Sequence, residues 1–276
     1  MPELPEVETV RRGLAPVLEG AVLADVILRR ETLRVPIPAD FRARLSGNRI
    51  RRLGRRAKYL LFEMADGTVA IGHLGMSGHM KIFRGPPSAP EKHDHIDFVT
   101  EAGVTVRFTD PRRFGLFVLD RVETLDEHPL MRHLGPDPLS NDFSGPTLAE
   151  RLAGRATPIK AALLDQKTVA GLGNIYVCES LFRAGISPRR LARTVGEARA
   201  ERLVSAIRDV LGEAIAAGGT TLRDHVSPEG ELGYFAQSLK VYGHEGESCP
   251  GCDCGGVIKR IVQGGRSTFF CATRQR

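Results

Sequence analysis

A chain of 276 residues, 42% hydrophobic and 26% charged, can bury one large core or two modest ones and has the ordinary composition of a soluble protein. Thirty-nine Lys and Arg against 33 Asp and Glu leave a formal charge of +6, which points to an anionic partner. No apolar run approaches the roughly 20 residues of a membrane span, and residues 1–20 carry acids and prolines in place of a signal peptide's apolar stretch; the expected location is the cytoplasm, with no membrane partner.

The chain opens Met1-Pro2-Glu3-Leu4-Pro5-Glu6. Pro5 suits the first turn of a helix, and Val7, Val10, Leu14, Val17 and Leu18 fall on one stripe at helical spacing, so the terminus is expected to be anchored by a packed helix. Val22, Ala24, Val26 and Leu28 alternate like a half-buried strand. More strand-like runs cover 59–64, 68–72, 79–83, 96–100, 104–109 and 116–119, punctuated by turns such as Ala65-Asp66-Gly67 and Glu101-Ala102-Gly103. A helix followed by this many strands predicts a β-sandwich over residues 1–131. Gly135-Pro136-Asp137-Pro138 and Ser144-Gly145-Pro146 mark a linker over 132–146. Helices are predicted over 147–152, 158–164, 174–183 and 196–217, the last stopped by Gly218-Gly219, within a helical domain of 147–239. Residues 240–276 form a compact tail. The expected fold is α+β and multi-domain.

Several residues stand out for their chemistry. If Met1 is removed, Pro2 carries a secondary α-amine that titrates near pH ~8, usable as a nucleophile toward an electrophilic carbon. Glu3 and Glu6 are close enough in sequence to move its protons. Arg49, Arg51, Arg52, Arg55 and Arg56, followed by Lys58, make a locally basic stretch. His73-Leu74-Gly75-Met76-Ser77-Gly78 and Asp110-Pro111-Arg112-Arg113-Phe114-Gly115 read as tight turns. Read alone, the first turn is more simply a hairpin with Met76 folded into the core; an enzyme that extrudes a base from a duplex must also fill the hole, which apolar wedges and an arginine can do. His93-Asp94-His95 is read as a strand entry and not as a metal site. Gly171-Leu172-Gly173-Asn174 before a helix offers backbone N–H groups to phosphate. Four of the five cysteines, Cys249, Cys252, Cys254 and Cys271, crowd into the tail, a pattern of metal ligation more than of a disulfide framework. Cys178 stands alone in a helical pattern and reads as a core residue.

The string PELPEVETVRRGL resembles the N-terminus of the bacterial formamidopyrimidine-DNA glycosylase family, and further matches run nearly to the C-terminus. The resemblance implies an N-terminal β-sandwich with a leading helix, a helix–two-turn–helix domain and a β-hairpin zinc finger. It implies a base-excision-repair glycosylase and abasic-site lyase that removes 8-oxoguanine and formamidopyrimidines from duplex DNA and cleaves the strand by β,δ-elimination. Pro2 is then the Schiff-base nucleophile, Glu3 the proton donor, Lys58 the proton donor for β-elimination and Arg266 that for δ-elimination, with Glu6 assisting. Met76, Arg112 and Phe114 fill the void. His93, Arg112, Lys160, Asn174 and Arg266 contact DNA, and residues 220–237 recognise the lesion as a region. The partner is double-stranded DNA carrying oxidised purines, the enzyme acts as a monomer, and it is associated with the nucleoid through DNA. One structural zinc and no organic cofactor are implied. The chain departs from the family at Arg274, where the last cysteine should stand. Counting back from Cys271, the family's sixteen-residue spacing reaches Cys254, leaving Cys249, Cys254 and Cys271 as ligands with Cys252 open as the fourth. A three-cysteine site with an outside ligand, or a finger without metal, are the alternatives. An endonuclease VIII-type enzyme for oxidised pyrimidines and a non-catalytic zinc-finger DNA-binding protein are the rival functions. The Leu4-Pro5-Glu6-Val7-Glu8 continuation argues against the first.

Overall fold

The computed structural model describes residues 1–220, 234–251 and 253–276. They fall into two compact units, Met1–Arg132 with Ala217–Tyr234, and His133–Ala216 with Phe235–Arg276. The stretch Ala217–Tyr234 lies inside the segment read as helical, yet it groups with the first unit. The cause is local: the Thr220 amide and hydroxyl both donate to Glu6 Oε1 at 2.9 Å, and the Tyr234 amide returns to the Ala217 carbonyl at 3.0 Å.

In the first unit, helix α1 (Leu4–Leu18) leads into eight strands and a short helix, α2 (Phe41–Leu45). One antiparallel sheet has the order β1 (Leu23–Leu28), β6 (Asp94–Thr100), β7 (Val104–Thr109), β5 (His79–Arg84). The other runs β2 (Ile50–Arg56), β3 (Tyr59–Met64), β4 (Thr68–His73), β8 (Leu116–Arg121). Their inner faces share one core with Val7, Val10, Leu14 and Leu18 of α1, the stripe seen in the sequence. Its centre is aromatic, with Phe62 stacked on Phe98 at 5.3 Å and Phe108 edge-on to Phe117 at 5.1 Å.

Strand β2 was not foreseen, because the arginines of Ile50-Arg51-Arg52-Leu53-Gly54-Arg55-Arg56 hide its alternation. Ile50, Leu53 and Gly54 are buried. Arg51 and Arg52 pair with Glu63 at 3.0 and 3.9 Å and Arg55 with Glu8 at 3.1 Å. Glu8 also binds Arg11 and Arg12, both at 2.8 Å. Burial pushes its carboxyl up, but the Arg11 and Arg12 hydrogen bonds and the Arg11 and Arg55 charges outweigh this and hold it down to about 2. Arg55 thus fastens β2 to α1, while Arg51 fastens it to β3.

The second unit holds α3 (Gly145–Leu152), α4 (Ile159–Leu164), α5 (Asn174–Arg183) and α6 (Glu197–Ala216), followed by the antiparallel hairpin β9 (Ile258–Gln263) and β10 (Arg266–Cys271). Ser144 caps α3 by accepting from the Thr147 amide. The hairpin packs on α5 through Cys178, Phe182, Val241, Ile258, Phe269 and Cys271, so Cys178 is a core residue. Glu179, buried on α5, accepts the amides of Lys240, Val241 and Tyr242 at 2.9–3.0 Å and fixes the chain as it enters the tail.

Candidate functional site

Glu3 is the N-cap of α1. Its amide donates to Glu6 Oε2 at 2.8 Å while its side chain accepts the amide of Glu6, a reciprocal capping box. Pro2, Glu3 and Glu6 are all buried. With Oε2 on Glu3 and Oε1 on Thr220, Glu6 holds the start of α1 to the chain leaving α6. Gly219 (φ +82°) leaves room for this: a Cβ there would come within 3.2 Å of Glu6. Glu6 thus ties the Glu3 backbone at the start of α1 to Thr220.

Lys58 follows Ala57, whose left-handed φ of 52° turns the chain between β2 and β3. It is buried, and its charge falls on His73 at the end of β4. His73 was quoted in the sequence only as part of a turn. Burial, then Lys58, then Arg34 hold its imidazole down to about 4. The neutral ring lies tilted against Tyr59 at 5.0 Å and accepts the Gly75 amide on Nδ1 at 2.9 Å. The exposed turn that follows thus begins on a fixed ring.

Met76 and Phe114 are 37% and 44% exposed on turns whose flanking residues, Gly75, Ser77 and Gly115, are buried. The two turns touch through backbone. Gly75 (φ +68°) sits so close to Phe114 and Gly115 that a Cβ would lie 2.4 Å from both. Asp110, fully buried, ties them together. Its Oδ1 accepts the Ser77 hydroxyl at 2.7 Å and the Arg112 amide at 3.3 Å, and its Oδ2 accepts the Gly115 amide at 2.8 Å. Its carbonyl accepts His95 Nε2–H at 2.9 Å, and its amide donates to the His93 carbonyl at 3.0 Å. Arg113 takes a left-handed φ of 56°, and the Arg112 guanidinium lies over the Phe114 ring at 5.0 Å. The structure therefore brings Met76, Arg112 and Phe114 onto adjoining turns, with His93 at the strand entry beside them. Asp110, Ser77 and His73 were the residues missed; a polar residue closing each turn was the available signal. His93-Asp94-His95 is a strand entry, with Asp94 held by Arg107 at 3.3 Å and Thr109 at 2.5 Å.

In the second unit, Asn174 opens α5 behind Gly173. Its Nδ2 donates to the Ser267 carbonyl at 2.9 Å, and Lys160 Nζ donates to the same carbonyl at 3.0 Å and to Thr268 Oγ1 at 2.6 Å. Lys160 is fully buried, and burial lowers its ammonium despite an opposing contribution from Cys178. It supports the strand carrying the exposed Arg266.

The sulfurs of Cys249, Cys254 and Cys271 lie within 4.8 Å of one another, and those of Cys254 and Cys271 are 3.7 Å apart. A tetrahedral zinc with Zn–S bonds of about 2.3 Å sets its sulfurs roughly 3.8 Å apart. Gly256 lines this cradle: a Cβ would lie 3.0 Å from Cys271 Sγ and 3.2 Å from Cys254 Sγ, and its amide donates to Cys254 Sγ at 3.4 Å. Burial raises the Cys271 thiol, but the amides of Arg274 and Thr273 and the neighbouring Cys249 and Cys254 more than offset it and bring the thiol down, as a zinc ligand requires. These residues fit one structural zinc. Cys252 and residues 221–233, most of the expected lesion-recognition region, lie outside the described residues.

Comparison with known proteins agrees with this architecture. Residues 1–117 match the Formamidopyrimidine-DNA glycosylase N-terminal domain, 134–226 the Formamidopyrimidine-DNA glycosylase H2TH domain, and 246–273 the Zinc finger found in FPG and IleRS. The chain is 60% identical over 283 residues to the formamidopyrimidine-DNA glycosylase of Rhodospirillum rubrum and 59% over 290 to that of Rhodospirillum centenum, each covering both chains fully. Among solved structures it resembles the MutM (Fpg) protein of Thermus thermophilus (43% identity, TM-score 0.87, 99% of this chain and 98% of that one). It also resembles a Lactococcus lactis Fpg variant in complex with Fapy-dG containing DNA (35% identity, TM-score 0.90, both chains covered fully). The chain belongs to the formamidopyrimidine-DNA glycosylase family.

Proposed function

We propose that Pro2, freed of Met1, is the nucleophile of a glycosylase and abasic-site lyase, with Glu3 as its proton donor. Family membership makes the chain a base-excision-repair enzyme for oxidised purines in double-stranded DNA, and the residues divide its work. Met76, Arg112 and Phe114 enter the space left by the everted nucleotide and offset part of the few kcal/mol that unstacking costs. The Pro2 nitrogen bonds to C1′ as the bond from C1′ to the base breaks; the amine gives up its N–H proton and the departing base takes one up. Glu3 protonates O4′ as the C1′–O4′ bond opens, leaving an iminium on C1′. The iminium acidifies the C2′ proton, and its loss expels the 3′ phosphate; a second elimination across C4′ expels the 5′ phosphate. Lys58 serves the first elimination and Arg266 the second. Asn174, Arg266 and His93 take phosphates, and Lys160 acts through the strand that carries Arg266. Zinc holds the finger, and no step passes through it. The enzyme works as a monomer in the cytoplasm, on nucleoid DNA.

The observation that carries this reading is the reciprocal cap between Glu3 and Glu6, which holds a buried Pro2 and Glu3 in one fixed turn. Borohydride trapping on 8-oxoguanine duplex tests it. The purified protein should lack Met1 by intact mass and become covalently linked to DNA, and Pro2→Gly should cut the trapped fraction at least tenfold. Equal trapping by the variant removes Pro2 from the mechanism.

A further inference from the structure

Arg274 stands where the family's fourth zinc ligand belongs, and a guanidinium, cationic and without an available lone pair, cannot take that role. Its side chain is nevertheless engaged through Nη1, Nε and the face of the guanidinium. Nη1 donates to the Gly251 carbonyl, inside the first knuckle between Cys249 and Cys254. Nε donates to the Phe182 carbonyl on α5 at 3.3 Å, and the guanidinium lies over the Phe182 ring at 5.0 Å. Gly251 makes this approach feasible, since a Cβ there would lie 2.7 Å from the Phe182 ring and 3.3 Å from Arg274 Cζ. The backbone amide of Arg274 meanwhile supports the Cys271 sulfur.

A fourth cysteine at this position would join the second knuckle to the first through the metal. Arg274 joins the same two segments directly and adds α5 as a third. The rest of the second knuckle is separately secured: the Cys271 amide donates to Gln275 Oε1 at 2.9 Å, and Gln275 Nε2 donates to the Ile186 carbonyl at 2.9 Å. The first knuckle has local support from the Cys249 amide on the Gly256 carbonyl at 2.8 Å, which does not reach beyond the knuckle. We propose that Arg274 is a positioning residue that takes over the cross-linking work of the missing zinc ligand, so that the first knuckle stays docked on the hairpin and α5 when zinc is removed. Two hydrogen bonds from a charged donor and a stacked cation at a desolvated ring are together enough to shift a local opening equilibrium by roughly tenfold or more.

The test is amide hydrogen exchange of residues 246–257 in the full-length protein, with zinc bound and after stripping by a chelator, for the wild type, Arg274→Ala, Arg274→Lys and Arg274→Cys. The stripped wild type should keep protection in this segment within a few-fold of the zinc form. Stripped Arg274→Ala and Arg274→Cys should lose it by tenfold or more, while α5 stays protected in all. Arg274→Lys, which retains the charge over the ring, should fall between. The proposal is overturned if stripping exposes the wild-type segment as fully as that of Arg274→Ala, or if stripped Arg274→Cys stays as protected as the wild type. Should Arg274→Ala unfold with zinc bound, the Lys variant decides, and wild-type protection of its stripped form would equally overturn the proposal.

Discussion

Replacing Asp110 by Asn changes one atom in the knot beneath the two exposed turns. The carboxylate accepts from three donors, Ser77 Oγ, the Arg112 amide and the Gly115 amide. An Asn must turn its NH2 toward one side, where it faces either the Arg112 amide or the Gly115 amide. The site is fully buried, so water cannot repair the loss. One charge-assisted hydrogen bond of about 1.5–3 kcal/mol is forfeited and one buried N–H is left unmade, giving a destabilisation of about 2–4 kcal/mol. Urea melts should show this as a lower midpoint with an unchanged slope. If Met76, Arg112 and Phe114 fill the void as proposed, the kinetic effect should depend on substrate, since the order of the turns then matters most when an intact nucleotide has to be everted. Loss of even 1–2 kcal/mol of void filling slows excision by about 5–30-fold. Single-turnover excision of 8-oxoguanine should therefore fall more than cleavage of a preformed abasic site. Wild-type stability in Asp110→Asn, or equal slowing on both substrates, refutes the role of Asp110 in ordering the turns.

Two further outcomes follow from charges fixed by the fold. Glu8 sits near 2 against an ordinary 4.5, so its contribution is complete above pH 4.5 and is lost as the pH falls from there toward 2; Glu8→Gln should cost about 3 kcal/mol at pH 7 and flatten the stability curve over that window, read by urea melts across pH. His73 sits near 4 against an ordinary 6.5. The unfolded chain therefore takes up its proton first, and the contribution of His73, complete above pH 6.5, is lost as the pH falls from 6.5 toward 4. His73→Asn should remove about 1–3 kcal/mol of that acid dependence in the same melts, and an unchanged slope below pH 6.5 would show that the ring is not held neutral.

The sequence was most legible where one period dominates. The α1 stripe follows from spacing, whereas the strands around Phe62, Phe98 and Phe108 and α5 from Asn174 to Arg183 are buried on nearly every side and show instead as apolar runs bounded by turn residues. Strand β2 was illegible because its charges are paired with Glu8 and Glu63, partners 47 and 12 residues away for Arg55 and Arg51. The candidate site divides in the same way. Met76, Arg112 and Phe114 were visible as unusual residues on turns. The groups that order them, Asp110 and His73, were not, because a buried carboxylate and a loop carboxylate look alike in one dimension. Glu6 was read as a proton carrier from its nearness to Pro2, whereas its partner Thr220 could be known only from the folded chain. Arg274 was read as a defect in a zinc pattern, and only Phe182 and Gly251 reveal what it does.

The bond between Glu6 and Thr220 closes a loop of 214 residues. On a chain made from its N-terminus, the β-sandwich can collapse on its own aromatic core while the helical unit is still being synthesised. The first turn of α1 gains its last clamp only after residue 220 has emerged. Completion of the clamp on Glu6 is therefore a late step in biogenesis, and a truncated product ending in the helical unit would carry the α1 cap without it.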